Sequence, residues 1–242
     1  MSDILAVARL DVRHGLLQAV RGVSFAVDKG EIIAFVGANG AGKTTLFRTI
    51  AGAHRPASGQ VLFQGRDITA LPDYQRVKLG IALVPEGRRL FSQMSVRENL
   101  QLAEAAGRAG RWDVDAVLKV FPNLTARINS KAGNLSGGEQ QATAIGRALM
   151  TNPEVLLLDE ISLGLSPAAV GRVYESLKML METGTTILLV EQDLNRALSV
   201  ADRVICMLEG NIVAQGPVKE MTRERIMDAY FGLHRVAAEP RP

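Results

Sequence analysis

The sequence predicts an α/β fold with a mostly parallel sheet, an N-terminal antiparallel β part and an inserted α-helical subdomain. Short apolar runs, typical of strands buried on both faces, alternate with segments of helical periodicity. The N-terminal segment instead shows alternation and turn residues, while helical periodicity alone dominates the middle of the chain. We therefore expect an α/β core of residues 1–86 and 151–235, a helical subdomain of residues 87–150, and a flexible tail of residues 236–242.

The first part of the chain is predicted to consist mainly of strands. Apolar alternation or short apolar runs indicate strands at residues 5–12, 23–27, 32–36, 61–63 and 81–84. The run at 32–36 is continuously apolar, as expected of a strand buried on both faces, and it leads into a glycine-rich loop. A helix is expected to begin near Lys43.

Helices in the middle of the chain are predicted from apolar residues at helical spacing. Three groups show this spacing, and they are Val96, Leu100 and Ala103; Val114, Val117, Leu118 and Phe121; and Ile145, Ala148 and Leu149. The segment 107–110 contains two glycines and is predicted to be a loop between two of these helices.

The last third of the chain returns to strand and helix alternation. Strands are predicted at 155–158 and 185–190, helices at 167–181 and 194–200, a hairpin at 204–208 and 212–214, and short helices within 217–231. Because strands joined through helices run parallel, this order predicts helices on both faces of one sheet.

The composition is that of an ordinary globular protein. The chain has 242 residues, of which 47% are hydrophobic and 22% charged, so it can bury a sizeable core. A net charge of +3 is too small for the dense basic surface of a nucleic-acid-binding protein, so we expect no nucleic-acid partner. The single cysteine, Cys206, lies in an apolar run and is predicted to be a buried thiol.

No run reaches the ~18 apolar residues of a membrane span, and the N-terminal apolar run is too short for a secretion signal. We therefore expect a cytoplasmic protein.

The segment from Gly37 to Thr45 has the spacing of a phosphate-binding loop between a strand and a helix. Its glycines let successive backbone N–H groups turn toward one anion, and the helix N-terminus adds a positive dipole end. We expect Lys43 to reach the β- and γ-phosphates of a nucleotide and the Thr44 hydroxyl to bind Mg²⁺. The nucleotide-binding residues predicted here are Gly37, Asn39, Gly40, Ala41, Gly42, Lys43, Thr44 and Thr45. A glycine-rich turn without a ligand is the alternative.

Two carboxylates follow the predicted strand 155–158, which places them at the carboxyl edge of the sheet, where ligands of open α/β sheets bind. Asp159 suits the Mg²⁺ shell, which it is expected to contact through a water molecule. Glu160 could polarise the attacking water as a general base, a role typically worth ~10²–10⁴ in rate. An acidic pair that merely begins a loop is the alternative.

The segment Leu135–Gln140 is predicted to form a second anion site at the start of a helix. Ser136 offers a hydroxyl, Gly137 and Gly138 expose backbone N–H groups, and Glu139 completes the turn. A small-molecule kinase has no need of this segment, and the Asn-Lys-x-Asp motif expected of a GTPase is absent from the sequence. A simple N-cap by Ser136 is the alternative.

Together with Val155–Glu160, these two segments resemble the ATP-binding-cassette (ABC) ATPase family over essentially the whole chain. The resemblance implies a RecA-like P-loop ATPase core that uses ATP and Mg²⁺. It also implies a dimer, in which the Ser-Gly-Gly signature of one subunit faces the phosphate loop of the other. The stretches 84–91, 95–100, 139–141, 144–149, 162–167 and 190–192 are further similar to LivF-type ATP-binding subunits of branched-chain amino acid importers.

Four positions depart from the wider family. Glu86 stands where most members have glutamine, and it is expected to contact Mg²⁺ or water, with a solvated turn acid as the alternative. Gln192 replaces the family's histidine; its amide can donate to the γ-phosphate but does not titrate near neutral pH, and a structural loop residue is the alternative. His14 falls at the adenine-stacking aromatic, unless it is an exposed loop histidine. Ile161 replaces a proline, which predicts a looser loop around Glu160.

The resemblance implies an ATP-hydrolysing subunit that powers an ABC importer, located peripherally on the inner face of the cell membrane. Its implied partners are a homologous ATP-binding subunit or a second copy of this chain, two membrane permeases and, indirectly, an extracytoplasmic solute-binding protein. Because no residue of this subunit is expected to contact the cargo, import of urea or amides and lipid export remain alternative functions. A soluble ABC regulator is a further alternative. Arg88, Arg89 and Arg97 either face the membrane partner or form a solvated basic surface.

Overall fold

The computed structural model describes residues 3–222, 224 and 226–228. Its strands are β1 (Leu5–His14), β2 (Leu17–Val27), β3 (Ile32–Val36), β4 (Ser58–Phe63), β5 (Arg66–Asp67), β6 (Ile81–Val84), β7 (Val155–Asp159), β8 (Thr186–Val190), β9 (Arg203–Leu208) and β10 (Asn211–Pro217). Its α-helices are α1 (Lys43–Ile50), α2 (Asp73–Leu79), α3 (Val96–Glu104), α4 (Val114–Val120), α5 (Gly137–Leu149), α6 (Pro167–Glu182) and α7 (Leu194–Val200). Short 3₁₀ helices span Pro122–Arg127 and Ala132–Asn134.

The larger sheet has six strands in the order β10-β9-β3-β8-β7-β6. All neighbours pair in parallel except the β9–β10 hairpin. Every residue of β3, β7 and β8 is buried, which explains their continuous apolar sequences. Since these three strands are neighbours, the loops that follow Val36, Asp159 and Val190 all leave the sheet at the same edge.

The smaller sheet is antiparallel, in the order β2-β1-β4-β5. It packs on the larger sheet around α1, through a buried apolar cluster that includes Phe25, Phe35 and Phe47. The Phe35 ring lies edge-on to both other rings, with centroid distances of 5.2 Å, a favourable aromatic geometry. This cluster fixes α1, and therefore the loop that precedes α1, against both sheets.

The helices α3 to α6 cover the other face of the parallel sheet. One continuous buried cluster contains Leu100, Val117 and Ile145 from the helices and Leu156 from the sheet. Gly146 permits this close packing, since a Cβ there would lie 2.7 Å from a methyl group of Val117. The helical segment therefore shares its core with the sheet, and its description as a separate subdomain of residues 87–150 stays a prediction.

The structure confirms the predicted fold class, with an antiparallel N-terminal sheet and a mostly parallel second sheet. The helix α2 was not predicted, and β2 begins several residues earlier than predicted. The predicted tail 236–242 lies outside the described residues, as do the end of the core toward residue 235 and much of the segment 217–231. In the part of the chain that is described, no helix has both the length and the apolar character that crossing a membrane requires.

Candidate functional site

The loop between β3 and α1 is held in a conformation that glycine permits. Gly37, Gly40 and Gly42 have φ angles of +155°, +81° and +97°, and side-chain-bearing residues adopt such angles only with strain. Gly42 also lies against β2, where a Cβ would overlap the carbonyl oxygen of Ala19. The three predicted loop glycines are therefore required both by backbone conformation and, at Gly42, by close packing.

An open cleft of about 450 Å³ lies over this loop. Its lining consists of His14, Leu17, Ala19, Asn39, Gly40, Ala41, Gly42, Lys43, Thr44, Thr45, Glu86, Glu160, Leu163 and Gln192. The structure thus brings together predicted site residues from five separate regions of the chain: His14, the loop of residues 39–45, Glu86, Glu160 and Gln192.

The Lys43 side chain is folded over the loop and is 4% exposed. Its ammonium group donates to the carbonyl oxygens of Gly37 (2.7 Å) and Ala38 (3.0 Å). Burial lowers the pKa of Lys43, whereas the negative charges of Glu160 and Asp159 act in the opposite direction. The neighbouring carboxylates therefore favour the protonated, cationic form of Lys43 beside the predicted phosphate loop.

Thr44 and Asp159 form a partly buried pair between α1 and the end of β7. The Thr44 hydroxyl donates to Asp159 Oδ1 at 2.9 Å, while the other carboxylate oxygen, Oδ2, is buried without a hydrogen-bond partner among the residues described. Burial raises the pKa of Asp159, and the charges of Glu160 and Glu86 act in the same direction. A hydroxyl beside a carboxylate with a free oxygen fits the oxygen ligands that Mg²⁺ prefers.

Glu160 and Gln192 are in direct contact across the cleft. The Gln192 side-chain amide donates to a Glu160 carboxylate oxygen at 2.7 Å. Glu160 has a φ of +50°, in the left-handed region that costs a side-chain-bearing residue about 1–3 kcal/mol. This strain is held at the residue predicted to be the general base, as often observed at functional sites.

Glu86 and His14 occupy the margins of the cleft. Glu86 is exposed, and its charge contributes to the raised pKa of Asp159, so it lies within electrostatic range of the predicted Mg²⁺ ligands. His14 is exposed, with Nε2 at 3.2 Å from the Thr45 hydroxyl and its ring centroid 4.4 Å from that of His54. The ring therefore lies beside the first turn of α1, and adenine stacking on it stays a prediction.

The signature residues Ser136–Glu139 do not line this cleft. Ser136 caps α5 in a capping box, in which its hydroxyl accepts from the Glu139 N–H and its own N–H donates to the Glu139 carboxylate at 2.8 Å. Burial opposes ionisation of Glu139, but the Ser136 hydrogen bonds and Arg127 outweigh it and lower the pKa of Glu139. Within one chain, the two predicted anion sites are therefore separate.

Two features around Glu160 were not predicted. Ile161 is 1% exposed and belongs to the core cluster beneath the helices, so the loop without proline is anchored by apolar burial. Glu191 is a buried carboxylate that hydrogen-bonds to Ser162 and Tyr174. The available sequence signal for Glu191 was a charged residue directly after the apolar run of residues 187–190.

A parallel sheet with a phosphate loop after β3 and with Asp159 and Glu160 at the end of β7 defines a P-loop nucleoside triphosphatase. Residues 20–162 match the ABC transporter family. The chain belongs to this family, and the predicted ABC ATPase is thereby confirmed.

Two curated relatives extend over nearly the whole chain. The high-affinity branched-chain amino acid transport ATP-binding protein BraG of Pseudomonas aeruginosa is 42% identical over 95% of this chain and 100% of its own. The probable branched-chain amino acid transport ATP-binding protein LivF of Archaeoglobus fulgidus is 37% identical over 90% of this chain and 94% of its own.

Two crystal structures are similar in fold. The ADP conformation of MJ1267, an ATP-binding cassette of an ABC transporter, has a TM-score of 0.83 and 28% identity, with 96% of this chain and 100% of that chain covered. A dimeric post-hydrolysis state of the cassette MJ0796, bound to ADP and Pi, has a TM-score of 0.78 and 25% identity, with 88% and 98% covered.

Proposed function

We propose that this chain is the ATP-hydrolysing subunit of an importer of branched-chain amino acids. The observation that carries the ATPase role is the convergence in one cleft of Lys43, the Thr44–Asp159 pair and the Glu160–Gln192 pair. The cargo assignment is supported by BraG and LivF, whose names state branched-chain amino acid transport. Urea or amide import and lipid export are the alternative cargoes.

In this proposal, the cleft binds the triphosphate along the loop of residues 37–45. The backbone N–H groups of the loop and the Lys43 ammonium contact the phosphates. Thr44 and Asp159 hold Mg²⁺, with Glu86 close enough to contribute. When bound, Mg²⁺ would neutralise the negative charge that develops on the phosphates.

Glu160 accepts a proton from the attacking water, since its carboxylate faces the cleft at the carboxyl edge of the sheet. Gln192 orients this carboxylate through the 2.7 Å hydrogen bond and is placed to donate to the γ-phosphate. Because the amide does not titrate near neutral pH, this donor remains available across that range.

We further infer that the site is completed by a second subunit. Ser136–Glu139 lie outside the cleft of their own chain, yet they present the Ser136 hydroxyl and the backbone N–H groups of Gly137 and Gly138 at a helix start. A dimer in which each signature faces the other subunit's cleft would place both anion sites on one triphosphate. The dimeric state of the MJ0796 cassette supports the presence of a second subunit. The second subunit is either a homologous ATP-binding protein or another copy of this chain.

The membrane partner would bind the apolar groove beside α3. This groove of about 390 Å³ is lined by Pro85, Arg89, Phe91, Leu102 and Arg147, among others, and Phe91 and Leu102 are 55% and 47% exposed. The Arg147 guanidinium lies 5.8 Å from the Phe91 ring centroid, a cation–π distance that shapes one wall. With one permease docked in this groove on each of the two ATP-binding subunits, the subunits would stay on the inner face of the membrane. An extracytoplasmic solute-binding protein would act through the two permeases.

The cargo is tested by the ATPase activity of the complete transporter in vesicles, with its solute-binding protein present. We expect leucine or isoleucine to stimulate hydrolysis of ATP, and urea and short amides to leave it at the basal rate. Stimulation by urea alone would reject the cargo while leaving the ATPase role intact. A chain that fractionates without integral membrane proteins would instead favour a soluble regulator.

A further inference from the structure

Glu191 is a buried carboxylate between the two loops that carry Glu160 and Gln192. It is 2% exposed. The Ser162 hydroxyl lies 2.9 and 2.8 Å from its two oxygens, and the Tyr174 hydroxyl donates to it at 2.6 Å. The backbone N–H groups of residues 192 and 193 donate to it at 2.9 and 3.2 Å.

The donors come from three elements that surround the proposed reaction centre. Ser162 lies two residues after Glu160, and Tyr174 lies on α6, the helix that follows this loop. The two N–H groups belong to the turn that presents Gln192 and leads to the N-cap of α7. One carboxylate therefore ties the loop after β7, the helix α6 and the loop after β8 together.

A carboxylate suits this position because an ionised carboxylate only accepts hydrogen bonds and has room for about four. All four groups around Glu191 can donate, and Tyr174 keeps its proton, since burial and the charge of Glu191 raise the pKa of Tyr174. A buried charge is costly unless it is hydrogen-bonded in this way. These hydrogen bonds compensate the buried carboxylate, and one of them fixes the backbone of Gln192.

We propose that Glu191 is a positioning residue for ATP hydrolysis: held by Ser162 and Tyr174, its carboxylate fixes the Gln192 backbone so that the Gln192 amide meets Glu160. This inference rests on the proposed roles of Glu160 and Gln192. Glu191 itself is buried behind the turn, and the residues that line the cleft do not include it. It therefore acts through Gln192.

The sharpest test compares Ser162→Ala with Ser162→Thr, because only threonine retains the hydroxyl. In the full-length chain, the affinity for ATP is measured with a fluorescent ATP analogue, and hydrolysis is measured as single turnover at saturating ATP. We expect Ser162→Ala and Tyr174→Phe each to lower the hydrolysis rate roughly tenfold, as for loss of a hydrogen bond to a charged group, with unchanged ATP affinity. Ser162→Thr should hydrolyse ATP at close to the unsubstituted rate.

A matched control is Ser176→Ala on the same helix as Tyr174. Its buried hydroxyl donates to the carbonyl oxygen of Val120 at 3.0 Å and is not connected to Glu191, so hydrolysis should not change. The double variant Ser162→Ala/Tyr174→Phe should lose less than the product of the single losses, since both donors act on one carboxylate.

A second readout does not depend on hydrolysis. In ¹⁵N-labelled protein, the side-chain amide signal of Gln192, assigned by its loss in Gln192→Ala, should shift in Ser162→Ala and return in Ser162→Thr. An unmoved signal, or equal hydrolysis by the alanine and threonine variants, would overturn the positioning role. If Gln192→Ala and Glu160→Gln both hydrolyse normally, the proposed catalytic roles fail instead, whatever the amide signal does.

Discussion

Individual side chains in the cleft act through a few short contacts, and Glu160 is the clearest case. Its backbone lies in the left-handed region and its carboxylate accepts a hydrogen bond from Gln192, so its position is fixed by backbone and side chain together. Lys43 and Asp159 are instead defined by burial, which shifts their pKa values in opposite directions. Both shifts reflect the cost of burying a charged group.

At the residue scale, Glu160→Gln should bind ATP normally and hydrolyse it at least 100-fold more slowly, as for loss of a general base. The amide keeps the size of the side chain but cannot take a proton from water. Single-turnover hydrolysis and ATP affinity are the measurements. Glu175→Gln, an exposed position on α6, is the control and should hydrolyse at the unsubstituted rate. Normal phosphate release by Glu160→Gln would remove this residue from the mechanism.

The phosphate loop could be predicted residue by residue, because its function depends on backbone conformation and on neighbours within nine positions of the chain. Glu191 could not be assigned in this way. Its side-chain partners lie 29 and 17 residues away, at Ser162 and Tyr174, and only the packing of α6 against β8 brings them together. Side chains whose role is to join distant segments leave little signal in one sequence.

Among the helices, α2 shows why a short element escaped prediction. Its centre carries Arg76, which is 1% exposed, although arginine usually marks a solvent face. The guanidinium donates to four carbonyl oxygens, those of Thr49 and Ile50 at the end of α1 and those of Thr69 and Leu71. Burial lowers the pKa of Arg76 to about 10, so it remains a cation at neutral pH. A cation at the C-terminus of α1 also interacts favourably with that helix dipole.

At the element scale, Arg76→Met should destabilise the fold by about 2–4 kcal/mol, because several buried carbonyl groups lose their donor. Arg76→Lys should recover only part of this loss, since an ammonium cannot reach all four oxygens at once. Chemical denaturation measures the free energy of unfolding. Lys78→Met, on the exposed side of the same helix, serves as the control and should unfold within about 0.5 kcal/mol of the unsubstituted chain. An unchanged midpoint for Arg76→Met would mean that these carbonyl groups find other donors.

For the whole molecule, the strand order concentrates the chemistry at one edge. The loops after β3, β7 and β8 meet because the three strands are parallel neighbours, and the long apolar runs made this part of the fold predictable. The signature segment at Ser136 is placed by α5 on a different side, outside the cleft. In the proposed function, the two predicted anion sites of one chain are therefore separate, and only an assembly can unite them on one ligand.

This geometry predicts that ATP drives dimerisation through Ser136. The Glu160→Gln chain, which binds ATP without turnover, should elute as a dimer in size-exclusion chromatography with ATP and Mg²⁺ and as a monomer without them. Adding Ser136→Arg should abolish the dimer yet keep ATP binding to the monomer, because the bulky cation blocks the interface while the chain's own cleft stays intact.

Ser95→Arg provides the matched control for that experiment. Ser95 caps α3 in the same capping-box arrangement as Ser136 on α5, so both variants lose an N-cap worth about 1 kcal/mol. ATP can favour the dimer over the monomer only if the second subunit also contacts the bound ATP. Because this contact is proposed for Ser136 and not for Ser95, only the Ser136 variant should lose the dimer. If both variants lose the dimer alike, helix capping explains the effect, and a dimer that survives Ser136→Arg would place the second anion site elsewhere.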